Sequence, residues 1–241
     1  MKPVEPEFDP EKYILPHRPH REWHENRTRE TWELLKIQGE FVQGFDKMSA
    51  VGPCVSIFGS ARIKPHDPLY QDARRTAQLL VAQGFGVVTG GGPGIMQAGN
   101  QGAAEAQGVS VGLTIRLPME ETTNPYVDRN YQVTFDYFFV RKVLLMRYAQ
   151  GVIVFPGGYG TLDELFETLT LIQTHKIEPF PVVLVNISYW QGLIHWIRER
   201  MLVDGYISPK DPDMFTLVDR PEEAVEIVTQ FYRLKQHRPN F

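Results

Sequence analysis

Apolar residues follow two alternating rhythms along this chain. Unbroken runs of a few residues, at Cys54–Phe58, Phe85–Thr89, Val109–Ile115, Val152–Phe155 and Val182–Val185, have the length and composition of strands buried on both faces. Between them lie stretches with helical spacing: Tyr70–Gln83, Ile95–Gln107, Phe139–Ala149, Leu165–Gln173, Trp190–Glu199 and Pro221–Leu234. A long polar connection from Arg116 to Asn130 leads into a short strand at Tyr131–Thr134. Strands separated by helices of this length predict βαβ units, and hence an α/β fold with a doubly wound parallel sheet.

The first fifty residues depart from that rhythm. Pro3, Pro6, Pro10, Pro16 and Pro19 stand among charges and leave little scope for regular structure, which predicts an arm. From Glu25 to Met48 the pattern is helical, and Trp32, Leu35, Phe41 and Phe45 form an apolar stripe that must pack on the main domain or on a second subunit. The expected organisation is therefore an arm and amphipathic helix over residues 1–49, followed by one α/β domain over residues 50–241.

Three predicted strand ends run into small residues: Gly59-Ser60-Ala61, Gly90-Gly91-Gly92-Pro93-Gly94 and Pro156-Gly157-Gly158-Tyr159-Gly160-Thr161. Ligands of an open parallel sheet sit beyond the carboxyl ends of its strands, so these turns are expected to line one crevice. A buried strand that breaks into glycines and then a helix offers bare backbone N–H groups and a positive dipole end to an anion. Gly59, Ser60, Gly91, Gly92, Gly157, Gly158, Tyr159, Gly160 and Thr161 are the candidate phosphate-binding positions. Thr161 could donate to a phosphate oxygen or cap the helix. Asp163 suits a first helical turn, and Glu164 could face the same ligand as the phosphate cradle. Arg141 and Lys142 near a helix start oppose the helix dipole, which asks for a reason other than helix stability.

Several functions are excluded by pattern. After Gly90 and Gly92 the third dinucleotide-fingerprint position is Ile95, after Gly158 and Gly160 it is Asp163, and no ribose-binding acid ends the strand at Ile115, so NAD is disfavoured. There is neither a Gly-x-x-x-x-Gly-Lys-Ser/Thr loop nor a Gly-x-Ser-x-Gly elbow. A mononucleotide site remains. The formal net charge of −4 argues against nucleic-acid binding through a broad basic face. The one cysteine, Cys54, excludes an internal disulfide and reads as a buried strand thiol. No run approaches the length of a membrane span, and a cytoplasmic setting is expected. His17, His20 and His24 lack acidic or thiol partners in a recognised pattern, so no metal is expected there. Phe135, Tyr137, Phe138 and Phe139 read as core or subunit contact, with base stacking by one of them as the alternative.

The stretches Gly90-Gly91-Gly92-Pro93-Gly94-Ile95-Met96, Arg141-Lys142 and Pro156 to Glu164 together resemble the LOG ("Lonely Guy") family of cytokinin riboside 5′-monophosphate phosphoribohydrolases, long labelled possible lysine decarboxylase. The resemblance covers roughly residues 50 to 235. It implies a Rossmann-like fold, a homodimer or larger homo-oligomer, no cofactor, and hydrolysis of a nucleoside 5′-monophosphate to free base and ribose 5-phosphate. The family's catalytic arginine and glutamate fall on Arg141 and Glu164, and its nucleotide-binding positions on Lys142, Gly158 to Glu164, and Thr170. Short members carry Met-His where this chain reads Tyr137-Phe138-Phe139-Val140, and two glutamates where it has Asp163-Glu164. The long arm and the Asn124-Pro125-Tyr126 loop look like the larger bacterial branch. A decarboxylase would need a pyridoxal-binding lysine in its own site, and Lys142 beside Arg141 is better explained by phosphate or carboxylate contact. The competing expectation is a carrier of the same fold that holds a nucleotide or the molybdenum cofactor without breaking it.

Overall fold

In the computed structural model, residues 26–117, 123–233 and 240 are described. His17, His20 and His24 lie outside them. The chain divides into two compact units, residues 1–38 and 39–241. Helix α1, Asn26–Ser49, supplies the described part of the first unit and opens the second. Trp32 and Leu35, the front of the predicted stripe, are more than half exposed. In the second unit the buried end of the helix is Gly44 and Met48, where a Cβ on Gly44 would overlap the Leu144 side chain.

The second unit is one seven-stranded parallel sheet. In chain order it runs β1 (Cys54–Phe58), α2 (Pro68–Ala82), β2 (Gly86–Thr89), α3 (Ile95–Glu105), β3 (Ser110–Ile115), β4 (Gln132–Phe135), α4 (Phe138–Arg147), β5 (Ala149–Val154), α5 (Tyr159–Gln173), β6 (Val182–Val185), α6 (Ile187–Trp196), β7 (Thr216–Val218) and α7 (Pro221–Tyr232). The strand order is β4-β3-β2-β1-β5-β6-β7, with every neighbouring pair parallel. The chain thus steps outward from β1 to β4, then returns to place β5 on the other side of β1. This is the α/β, Rossmann-like doubly wound arrangement, and the reversal of order falls between β1 and β5.

Helices cover both faces, which is why β1, β2, β5 and β6 are buried along their whole length. On one face Tyr70, Ala73, Ala77 and Leu80 of α2, Ala98 of α3 and Val225 and Val228 of α7 pack over Val55, Ile57, Val87, Ile153 and Val183. On the other, the buried Ser56 hydroxyl donates to the Leu145 carbonyl of α4 at 2.9 Å. Cys54 is fully buried, and burial pushes its thiol up to about 12, which leaves it protonated and inert.

Most boundaries fall within two residues of the sequence expectation, and three elements start three or more residues earlier, each for a local reason. Strand β5 starts at Ala149 rather than Val152, because Ala149-Gln150-Gly151 pairs beside Cys54 although it carries no apolar run. Helix α5 starts at Tyr159, inside the glycine turn, with Gly158 as its N-cap. Helix α6 starts at Ile187, capped by the Asn186 side chain accepting from Tyr189 N at 3.0 Å, and passes into a π-helical turn at Ile197–Leu202.

Candidate active site

The site is built from the turns that follow β1, β2 and β5. At the reversal point Ser60 N donates to the Pro156 carbonyl at 3.0 Å and Phe155 N to the Phe58 carbonyl at 2.8 Å, so the first and third glycine turns are hydrogen-bonded side by side. Ile95 N donates to the Ser60 carbonyl at 3.0 Å, which brings the start of α3 to the same place. Gly59 allows this approach: a Cβ there would come within 2.7 Å of the Ile95 side chain. Gly91 has a φ of +71° and Gly94 of +67°, a left-handed backbone that favours glycine.

The second turn is held from behind by a buried polar network. Gly91 N donates to the Thr89 hydroxyl at 2.9 Å, and that hydroxyl donates to Asn100 Oδ1 at 2.6 Å. Asn124 donates its Nδ2 to the Gly92 carbonyl at 3.0 Å and its backbone N–H to the Gly91 carbonyl at 2.8 Å. Asn100 Nδ2 reaches the Ser110 hydroxyl and the Val111 carbonyl, both at 3.0 Å. A satisfied network of this kind fixes backbone geometry, because breaking any member leaves a buried polar group without a partner.

Together the three turns line a cleft of about 920 Å³ at the carboxyl ends of the strands. Gly59, Ser60, Gly91, Gly92, Gly157, Gly158, Tyr159, Gly160 and Thr161 all border it, and so do Arg141 and Glu164. The N-cap of α5 is Gly158, which has no side chain to cap the first N–H groups of that helix. Thr161 is the third residue of α5 rather than its cap; it is buried, with its hydroxyl packed against Gly157. Tyr159 sits at the rim, 93% exposed.

Glu164, on the second turn of α5, is 5% exposed, and its Oε2 is a buried oxygen with no hydrogen-bond partner among the described residues. Its Oε1 lies 3.7 Å from Nη2 of Arg141, which comes across from α4. The guanidinium of Arg141 also rests 5.2 Å over the Phe138 ring, and a Cβ on Gly90 would overlap the Met96 sulfur at 2.8 Å. Burial pushes the Glu164 carboxyl up to about 7; Lys142 and Arg141 pull it back down, while Glu167 and Asp163 push it further up. An acid that titrates near neutrality in a cleft is poised to accept or release a proton.

Three of the sequence candidates, Lys142, Asp163 and Thr170, do not border the cleft. The Nζ of Lys142 meets Asp163 Oδ1 at 2.9 Å and Glu167 Oε2 at 2.6 Å. Of the phosphate or carboxylate contact expected for it, the structure displays the carboxylates. The Thr170 hydroxyl is exposed and donates to the Phe166 carbonyl of its own helix at 2.7 Å. Asp163, the fifth residue of α5, falls beyond the first turn, since the helix begins at Tyr159, and pairs with Lys142. Of the four aromatics, Phe135 is buried core and Phe138 borders the cleft half exposed. Residues that the sequence did not single out also border it. Tyr189 donates its hydroxyl to the Gly157 carbonyl at 2.5 Å, and Gln132 donates to Thr123 at 2.7 Å. No spacing rule connects α6 to the Pro156 turn, so no sequence signal could have found Tyr189.

The family model described as "Possible lysine decarboxylase" matches residues 96–228, a span that contains both Arg141 and Glu164. The chain belongs to the LOG family. Among LOG relatives, it is 32% identical over 159 residues to a cytokinin riboside 5′-monophosphate phosphoribohydrolase of Arabidopsis thaliana, covering 65% of this chain and 69% of the relative. It is 29% identical over 164 residues to the cytokinin riboside 5′-monophosphate phosphoribohydrolase of Mycobacterium tuberculosis, covering 66% and 85%. The fold is shared with the molybdenum cofactor binding protein from the phototrophic bacterium Rippkaea orientalis, with a TM-score of 0.56 at 21% identity over 75% of this chain and 97% of that one. Against the decarboxylase wording of the family model, no lysine stands among the described residues that border the cleft, and a pyridoxal group has no anchor among them.

Proposed function

We propose that this LOG-family chain hydrolyses the N-glycosidic bond of a nucleoside 5′-monophosphate, AMP or a cytokinin riboside 5′-monophosphate, to free base and ribose 5-phosphate. One observation carries the reading: a buried carboxylate with an oxygen unpartnered among the described residues, Glu164, borders the same cleft as the glycine-capped start of α5 and stands against Arg141. The names of the relatives point the same way.

The residues divide the work by chemistry. The phosphate is held by the backbone amides at Gly158, Tyr159 and Gly160 and by the Thr161 hydroxyl, which anchors the end that does not react. Gly59, Ser60, Gly91 and Gly92 form the facing wall, with ribose between the walls. As the bond from C1′ to the base nitrogen breaks, its electron pair leaves with the base and positive charge builds on the sugar. The Glu164 carboxylate stabilises that charge and takes a proton from the water whose oxygen bonds to C1′. Arg141 keeps its proton at neutral pH, so its part is to hold the carboxylate and the ligand. The base accepts a proton on departure. The same reading carries the expectation of a homodimer or larger homo-oligomer in the cytoplasm, which sedimentation of the pure protein and fractionation of its host would check.

Incubation of the pure protein with AMP and with N6-isopentenyladenosine monophosphate, followed by chromatography, is expected to release free base. The Glu164→Gln variant is expected to lose a factor of about 100 or more, the usual range for a missing general base. Tight nucleotide binding with no base release would instead favour a carrier.

A further inference from the structure

Arg141 and Lys142 are neighbours on α4, and Asp163 and Glu164 are neighbours on α5, so two adjacent pairs of charges meet across one helix–helix contact. The pairs face different ways. Arg141 and Glu164 border the cleft, whereas Lys142 turns behind α5 to Asp163 and, one turn further on, to Glu167. The Lys142 side chain is only 14% exposed, and both of its carboxylate partners lie on the helix that carries Glu164. The hydroxyl of Thr168 on α5 also approaches the Met146 sulfur of α4 at 3.0 Å, so the two helices are packed as well as paired.

We infer that Lys142 is a positioning residue: by bridging Asp163 and Glu167 it locks α4 against α5 and so holds Arg141 and the Glu164 carboxylate together at the cleft. The inference rests on the hydrolase reading given above and deepens it, since it assigns Lys142 to the carboxylate and not to the substrate phosphate. Distance supports it. The interaction of Arg141 with Glu164 at 3.7 Å is loose, whereas the two contacts of Lys142 are 2.9 and 2.6 Å, so the tighter contacts between the same two helices are behind the site. Electrostatics agree. The charged groups that bear on Glu164 are Arg141 and Lys142 from α4 and Asp163 and Glu167 from its own helix, and among them the cation Lys142 favours the ionised carboxylate. Burial opposes the charge on Lys142, but its hydrogen bonds to Glu167 and Asp163 prevail and hold its own pKa above the ordinary value. Removing the cation would also leave Asp163 and Glu167 without a counter-ion beside Glu164, which disfavours ionisation of that carboxylate twice over.

The test compares Lys142→Met and Lys142→Arg with the unaltered full chain, using AMP and N6-isopentenyladenosine monophosphate from pH 5 to 9. Lys142→Met is expected to lower kcat about 10- to 100-fold, as for a misplaced reacting group, with KM changed less than about threefold. The acid limb of its pH profile should move to higher pH, and Lys142→Arg should restore most of kcat. A rise of about tenfold or more in KM with the pH profile unmoved would identify a phosphate contact and overturn the inference. If Lys142→Met does not fold, Glu167→Gln, which removes one partner and keeps the lysine, should lower kcat without raising KM; an unchanged kcat would count against the inference. Should the unaltered protein release no base, the hydrolase reading fails and the role of Lys142 is decided by carbon NMR titration of the Glu164 carboxyl. An upward move in Lys142→Met supports the inference, and an unmoved titration overturns it.

Discussion

Glu164→Gln should make this protein more stable while it removes activity, and the size of the gain follows from burial. The folded-state carboxyl titrates at about 7 against an ordinary 4.5, chiefly because burial penalises its charge. At ~1.4 kcal/mol per pH unit that gap corresponds to about 3 kcal/mol. The sign follows from proton uptake. Because the folded-state value is raised, the contribution of Glu164 to stability is fully present below about pH 4.5 and is lost as the pH climbs to about 7. Glutamine has the shape of the protonated acid and never ionises. Relative to the unaltered protein, the variant should therefore gain about 3 kcal/mol at pH 8, a rise in thermal midpoint of roughly 6 to 12 °C for a chain of this size. The advantage should shrink to about 1 °C at pH 4.5. Thermal unfolding followed by circular dichroism at pH 4.5, 6, 7 and 8 measures it. A difference independent of pH, or a variant less stable at pH 8 than the parent, would refute the claim that the carboxyl is held in the cleft at an electrostatic cost.

The same titration predicts the rate profile: kcat/KM on a nucleoside monophosphate should climb about tenfold per pH unit on the acid side and level off near pH 7, whereas a limb centred near 4.5 would mean a solvated carboxylate. Gly157→Ala would push a methyl group into Thr161 and to 3.0 Å from Ser60 N, so it should cost about 1–3 kcal/mol by overpacking and raise KM for the monophosphate, read by denaturation and steady-state kinetics. Tyr189→Phe removes the hydroxyl that donates to the Gly157 carbonyl; unfolding should register a loss of about 1 kcal/mol, and weaker nucleotide affinity by calorimetry should accompany it.

Most of the sheet was legible from the chain because a strand buried on both faces needs an unbroken apolar run, and β1 and β6 begin and end where such runs do. Elements without that signature escaped. The three-residue edge strand β7, Thr216–Val218, is too short and too exposed to stand out, and the start of β5 at Ala149-Gln150-Gly151 is a strand only because β1 lies beside it. Within the site, the glycine turns and the residues Arg141 and Glu164 could be picked out from their order along the chain. The side toward which Lys142 turns could not, since both faces of a helical turn look alike in one dimension.

What the sequence alone determined is therefore local: which segments are strands or helices, where glycine opens the backbone, and which residue types stand at those openings. Tertiary structure alone decided that β5 returns to the side of β1, so that turns almost a hundred residues apart exchange hydrogen bonds at Ser60 and Pro156. It alone decided that Glu164 is buried among two cations and two anions and titrates near 7. Propensity and pattern act between neighbours along the chain, whereas burial and charge–charge energy add up through space, from residues that only the folded sheet brings together.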